Sequence, residues 1–166
     1  VTVRLRVPTA EDADAWARLF DDAEVMRYIG TGEVRDRAWY AAFVQRQQEL
    51  AESTGLCLFA VLVGEEVAGF TGVQPWTQPW GPSDVPEVGW RLGRRFWGRG
   101  VATEAGRTVL DRARALEVPR VVAMVHADNA ASLAVARKLG LTEEAALRAP
   151  WGTPVLQYGV QLSAAP

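Results

Sequence analysis

Lysine is almost missing from this chain. Of its 18 basic side chains only Lys138 is a lysine, and it follows Arg137 rather than a glycine run. A P-loop needs a lysine directly after its glycines, so that route to ATP or GTP is closed. Cysteine is as scarce: Cys57 stands alone, which excludes an internal disulfide and a multi-cysteine metal centre, and no metal site is expected. Its apolar setting, Leu56-Cys57-Leu58-Phe59-Ala60-Val61, predicts a buried, inert thiol. No apolar run reaches about 18 residues and no signal-peptide pattern opens the chain, so no membrane span is expected. Strong net charge is lacking too. At -2 the molecule as a whole will not seek nucleic acid. A cytoplasmic protein is the simplest expectation.

What is present reads as ordinary globular material: 49% hydrophobic and 23% charged residues in 166, enough for one domain over 1–166 with a sizeable core. Val1 to Val7 alternates as a half-buried strand does. Thr9 followed by Glu11 and Asp12 predicts a helix start, with Ala13, Trp16, Ala17 and Phe20 on its apolar stripe. A short helical piece is expected over 24–29. A long one is expected over 35–52, with Ala38, Ala42, Val44 and Leu50 as apolar positions. Residues 56–63 and 66–73 read as a hairpin around Gly64-Glu65. The stretch 74–86, QPWTQPWGPSDVP, carries four prolines and two tryptophans and reads as a long loop. Strands are expected at 87–92, 120–126 and 155–162. Helices are expected at 101–116, with Ala102, Ala105, Val109, Ala113 and Leu116 on one stripe, and at 129–139, capped by Asn129 and stopped by Gly140. The order predicts a mixed α/β sheet, flanked by helices, with a βαβ unit at its centre.

Arg94-Arg95-Phe96-Trp97-Gly98-Arg99-Gly100-Val101-Ala102-Thr103-Glu104-Ala105 joins the strand ending at Leu92 to the helix starting at Val101. A helix N-terminus offers unpaired N–H groups and the positive end of its dipole. Gly98 and Gly100 let a ligand come close to the backbone. Arg91, Arg94, Arg95 and Arg99 lie between Glu87 and Glu104 with no acid among them. These features suit a phosphate. A dinucleotide fingerprint is excluded, because the third glycine of G-x-G-x-x-G is absent. What remains is R-x-x-G-x-G: Arg95, Gly98, Gly100. On these residues alone, a plain glycine turn into a helix explains the stretch equally well. Phe96 and Trp97 read first as anchors of the turn in the core.

R-x-x-G-x-G at a strand-to-helix turn resembles the acetyl-CoA motif of the GNAT N-acetyltransferases. The longer string from Phe96 to Ala105 is similar to their RimJ/RimL branch, which acetylates protein N-terminal amines. So are Arg4-Leu5-Arg6 with Glu11-Asp12, the segment from Glu24 to Gly30, and Asn129-Ala130-Ala131-Ser132 with Arg137-Lys138-Leu139-Gly140-Leu141. The resemblance implies the GNAT acyl-CoA N-acyltransferase fold and acetyl-CoA as the cofactor. Its pantetheine arm would run along Trp90, Arg91 and Leu92, with Asn129 and Ser132 nearby. Its diphosphate would rest on the backbone of Gly98, Arg99, Gly100, Val101, Ala102 and Thr103, with Arg94 and Arg95 close by.

Acetyl transfer to an amine needs a neutral amine, donors for the developing oxyanion, and help for the leaving thiolate. Glu87, which corresponds to an acidic position in the family, is the first candidate base. His126, the only histidine, is the second, since imidazole changes charge near neutrality. Many GNAT enzymes carry a tyrosine as general acid four residues before the glycine matched to Gly140. Ala136 stands there in this chain, and Ser132 is the nearby hydroxyl. Tyr28, Trp76, Trp80 and Trp151 occupy substrate-facing segments by analogy with the family. The expected reaction is direct transfer in a ternary complex to a primary amine, either a peptide N-terminus or a small molecule. The alternatives are a polyamine or antibiotic acetyltransferase and a non-catalytic acyl-CoA-binding module. A homodimer is allowed. Nucleic acid and membrane are not expected as partners.

Overall fold

Leu58-Phe59-Ala60-Val61-Leu62 is apolar at every position, which only a strand covered on both faces accommodates. The computed structural model, which describes residues 2–163, places this strand, β2 (Leu58–Val63), inside a seven-stranded sheet. Leu58, Ala60 and Leu62 meet one layer of helices. Phe59 and Val61 meet the other.

The elements run β1 (Val3–Arg6), α1 (Ala10–Leu19), α2 (Ala23–Met26), α3 (Arg37–Thr54), β2, β3 (Glu66–Gln74), β4 (Glu87–Leu92), a single 3-10 turn (Arg94–Phe96), α4 (Val101–Ala115), β5 (Arg120–His126), α5 (Ala130–Lys138), β6 (Thr142–Arg148) and β7 (Pro154–Gln161). Val1, expected in the first strand, lies outside the described residues. The strand order is β1-β2-β3-β4-β5-β7-β6, and β4 with β5 is the one parallel pair among the described residues.

α1 and α3 cover one face through Trp16, Phe20, Tyr40, Phe43 and Val44, which close on Phe70 of β3. α4 and α5 cover the other through Val109, Leu110, Ala113, Leu133 and Ala136. The start of α1 is tied to β1 by Arg6, whose guanidinium forks onto the buried carboxylate of Asp12 at 2.6 and 3.0 Å. Asp12 also accepts the Thr9 N–H at 2.7 Å.

Three expectations change. β6 is an additional strand. Its residues, TEEAALR, are mostly exposed at the sheet edge and lack the alternation that marks a strand in sequence. Ala38 and Ala42 face solvent. The buried stripe of α3 is Tyr40, Phe43, Val44 and Gln47, because the aromatic side chains, not the small alanines, fill the space over Phe70. Leu116 is 49% exposed, since α4 ends one residue before it.

Candidate active site

β4 pairs with β3 along its whole length, from Leu92↔Gly69 to Glu87↔Gln74. On the other side β4 meets β5 at one position, Glu87↔Val122, where the Val122 N–H donates to the Pro86 carbonyl at 3.0 Å. Beyond that point the two parallel strands splay apart. Alternate residues of a strand direct their backbone groups to opposite edges. The Val122–Pro86 bond therefore fixes the phase: Trp90 and Leu92 point their N–H groups, and Val88 and Trp90 their carbonyls, into the gap. β5 is occupied on its far edge by β7 over all seven residues.

Past the end of β4 the chain turns twice through left-handed glycines, Gly98 (φ 67°) and Gly100 (φ 76°), before α4 begins. A Cβ at either would meet nothing within 4 Å, so the turn is bare rather than packed. Gly100 caps α4 without a side-chain acceptor, and the first helical bond runs from the Glu104 N–H to the Gly100 carbonyl at 3.0 Å. None of the N–H groups of Gly98, Arg99, Gly100, Val101, Ala102 and Thr103 has an acceptor among the described residues. Six consecutive donors at the positive end of a helix make a cradle for an anion.

The arginines divide. Arg99 has no carboxylate partner among the described residues. Arg95 reaches Glu66 only at 3.6 Å, with both groups exposed. Arg94 is held by Asp22, with Nε donating at 2.9 Å. Arg91 turns to the α1–α3 face, where its guanidinium lies 5.2 and 5.1 Å over the rings of Phe20 and Phe70 and donates to Tyr40 Oη at 3.3 Å. Burial pulls the Arg91 guanidinium below its ordinary value and pushes the Tyr40 phenol up. The side chains of Arg91 and Arg94 are thus committed within the protein, and the backbone groups of Arg91 face β3 rather than the gap. Phe96 anchors the turn in the core. Trp97 stays 45% exposed, although its indole N–H holds the Leu92 carbonyl at 2.9 Å.

The gap opens into a cavity of about 310 Å³. At its floor lies Glu87, open to the cavity and enclosed by protein elsewhere. This burial raises the carboxyl above its ordinary range, partly opposed by the Gln74 amide, which donates to Oε1 at 2.9 Å. Ser132, in the first turn of α5, accepts the Trp90 indole N–H at 3.3 Å, which leaves the hydroxyl proton free to be donated. Asn129 caps α5 by accepting the Ser132 N–H at 3.1 Å. His126 packs against Tyr28, with centroids 4.8 Å apart and the rings tilted by 55°, and its Nδ1 accepts the Asp128 N–H at 3.0 Å. With Nδ1 accepting, the other ring nitrogen, Nε2, is the one placed to donate.

Loop 75–86 folds back over this end. Trp76 and Trp80 meet edge to face at 5.1 Å, Trp151 meets Trp80 at 5.7 Å, and the Trp76 indole N–H donates to the Trp80 carbonyl at 2.5 Å. The Trp80 indole N–H is buried without a partner among the described residues. Glu87 is the one acid among the side chains lining this cavity.

Glu87, His126, Ser132, Asn129, Trp90, Tyr28, Trp76, Trp80 and Trp151, scattered through the sequence, thus line one cavity. Gln74, which lines it too, and Gln47, which donates to Gln74 from the core, were not foreseen. The signal for Gln47 was present: an amide on the apolar stripe of α3, three residues after Val44. Cys57 is fully buried, its thiol pushed up to about 12 by burial, and it plays no part.

A family model of the acetyltransferase (GNAT) domain matches residues 2–142. The uncharacterized N-acetyltransferase p20 of Bacillus licheniformis is 30% identical over 147 residues, 87% of this chain and 81% of that protein. Among solved structures, RimL, a ribosomal L7/L12 alpha-N-protein acetyltransferase in complex with coenzyme A, superposes with a TM-score of 0.83 at 20% identity, covering 97% of this chain and 94% of the other. Mycobacterium smegmatis RimJ, in complex with a CoA disulfide, gives 0.79 at 22% identity, covering 96% and 81%. At such identities the two structures speak to the fold alone.

Proposed function

Because the chain belongs to the GNAT acetyltransferase family, we propose that it moves the acetyl group of acetyl-CoA directly to the N-terminal α-amine of a peptide. The observation that carries this reading is the joining of two empty valences. One is the cradle of six unpaired N–H groups at the mouth of α4; the other is the unpaired edge of β4 that leads from it to Glu87. The cradle fits the diphosphate of the coenzyme, with Arg95 and Arg99 beside it. The edge groups of Val88, Trp90 and Leu92 fit the amides of a pantetheine arm laid in as an extra strand. Bound acetyl-CoA supplies the activated thioester.

The chain's own groups supply the rest. Glu87 takes the proton of the incoming ammonium, directly or through one water. A carboxyl raised by burial is a better base than an ordinary one. The amine nitrogen forms its bond to the acetyl carbon as the carbon–sulfur bond breaks. Edge N–H groups of β4 stabilise the charge that develops on the acetyl oxygen. The nitrogen's second proton ends on the departing sulfur, passing through the Ser132 hydroxyl, which gives its own proton to the sulfur and takes that one in return; Trp90 occupies only one of its lone pairs.

The acceptor end favours a peptide over a polyamine. A polyamine brings several cations and no acceptor, whereas the wall offers one acid, Glu87, among neutral polar groups that include Nε2 of His126 and the Gln78 amide. An α-amino acyl group brings one cation and a neighbouring carbonyl, which suits that set. Aromatic walls suit its side chain.

The test has two stages. Acetyl-CoA should raise the melting temperature, as any ligand selective for the folded state does. No rise at saturation removes the coenzyme reading. Thiol release is then followed with peptides bearing free or blocked N-termini, with spermidine and with an aminoglycoside. Release with free N-termini alone supports the proposal. Release with spermidine or the aminoglycoside alone moves the enzyme to small-molecule amines, and binding with no release from any acceptor points to a non-catalytic module.

A further inference from the structure

Gln47 is 2% exposed, the only glutamine in the buried core among the described residues. Its Oε1 accepts the backbone N–H of Leu58 at 2.8 Å. Its Nε2 donates to Oε1 of Gln74 at 3.0 Å, and Nε2 of Gln74 donates to Oε1 of Glu87 at 2.9 Å. Three hydrogen bonds thus run from β2 through α3 and β3 to β4.

The direction of this relay is not a choice. Leu58 N–H is a donor in every state, so the end of the Gln47 amide facing it must be the oxygen. The NH2 end then faces Gln74, which must present its own oxygen there and its NH2 group to Glu87. A backbone amide thereby dictates what Glu87 meets three bonds away. Oε2 of Glu87 has no partner among the described residues. We propose that Gln47 and Gln74 are positioning residues. Together they deliver a fixed donor to Oε1 of Glu87, hold its carboxylate at the cavity floor, and leave Oε2 as the atom that takes the proton of the acceptor amine.

Other groups that could set the state of Glu87 are few. Tyr28 and His126 line the cavity opposite, the latter as an Nε2 donor. Arg91 lies four residues along β4, roughly 13 Å away at ~3.3 Å per residue, with its guanidinium directed to Tyr40. α3 contributes Gln47 and β3 contributes Gln74. Burial and the relay therefore oppose each other at this carboxyl, and the relay is the component that favours the ionised form.

The inference rests on Glu87 being the base, so the test separates the two. Glutamate side chains are labelled with carbon-13 at the carboxyl and titrated by NMR without acetyl-CoA, the Glu87 signal being assigned by its loss in Glu87→Gln. Gln74→Met keeps the size of the side chain and removes the donor. The Glu87 midpoint should rise by about one pH unit, as expected for loss of a hydrogen bond to a charged group. Gln47→Met should move it the same way by less, because Gln74 loses its orientation but remains present. The acid limb of the pH–kcat/KM profile should move with the midpoint in both variants. A midpoint unchanged in Gln74→Met, in protein that melts cooperatively, overturns the relay. A midpoint that rises while the rate limb stays keeps the relay and removes Glu87 as the base. Uniform loss of kcat with an unmoved limb and midpoint would mark the glutamines as packing alone.

Discussion

Glu87 sits with one donor on Oε1 and protein around most of its surface, so the fold holds its carboxyl above the range of a free glutamate. The sign of the consequence is the reverse of that for a salt-bridged acid. Below the unfolded-state value both states are protonated and Glu87 costs nothing. As pH rises through that value the unfolded chain releases its proton first, and stability falls until the folded carboxyl ionises as well. Glu87→Gln should therefore raise the melting temperature by a few degrees at neutral pH. The gain should fade as pH drops through the carboxylate range, while kcat falls by about 100-fold or more, the usual scale for a lost general base. Calorimetry at pH 4 and pH 7.5 beside initial rates checks this. Equal gains at both pH values would mean that the carboxyl is not held high. Gly100 stands at the same scale. Its φ of 76° suits glycine, and no atom lies within 4 Å of the point a Cβ would occupy. Gly100→Ala should cost about 1 kcal/mol through the backbone alone and weaken CoA binding by distorting the cradle, read by denaturation and by titration calorimetry. Unaltered CoA affinity would separate the cradle from the ligand.

At the level of elements, β4 and β5 were legible to the residue, because each is short, apolar and bounded by glycine, proline or a charged turn. The glycine turn into α4 was legible for the same reason. β6 was not: a strand at a sheet edge is held by backbone bonds to β7, and its side chains carry no pattern. What secures it is a bulge at Glu143/Ala145, which brings the Glu144 carboxylate back to Arg120 of β5, with Nη2 donating at 2.6 Å, and to Gln157 of β7 at 3.0 Å. Arg120 holds the Glu144 carboxyl below its ordinary range. This contribution is complete above the range of a free glutamate and is lost as pH falls through the lower folded value. Glu144→Gln should therefore lower the melting temperature at pH 7 and converge on the parent protein in acid, with activity unchanged. A constant difference across pH would assign the loss to packing. The Gln47–Gln74 relay was hidden for another reason. Its three bonds join β2, α3, β3 and β4, and no local window of sequence contains more than one of them.

Across the whole molecule, the consequence of splaying β4 from β5 is that the sheet forgoes part of its own ladder at its centre. Seven strands are present, and at the parallel junction a single bridge holds two halves, β1 to β4 and β5 to β7, each well paired within itself. The backbone groups left in the gap and at the mouth of α4 have no partner among the described residues. In the proposed binding mode the coenzyme would act as the missing strand, with an anion at one end and amides along its length. Its two parts should separate by salt. In that mode the diphosphate would be held by exposed arginines and a helix dipole, both screened as the Debye length falls from about 10 Å at 0.1 M to about 3 Å at 1 M salt. The pantetheine contacts would be backbone hydrogen bonds and should respond little. CoA affinity should thus drop severalfold between these concentrations, whereas that of S-acetyl-pantetheine, weaker throughout, should stay nearly constant. Amide exchange at Trp90 and Leu92 should slow with either ligand, and exchange at 98–103 only with CoA. Slowing at 98–103 by S-acetyl-pantetheine, or no slowing at Trp90 and Leu92 with CoA, would show that the coenzyme does not lie along this edge and that the gap in the sheet serves another guest.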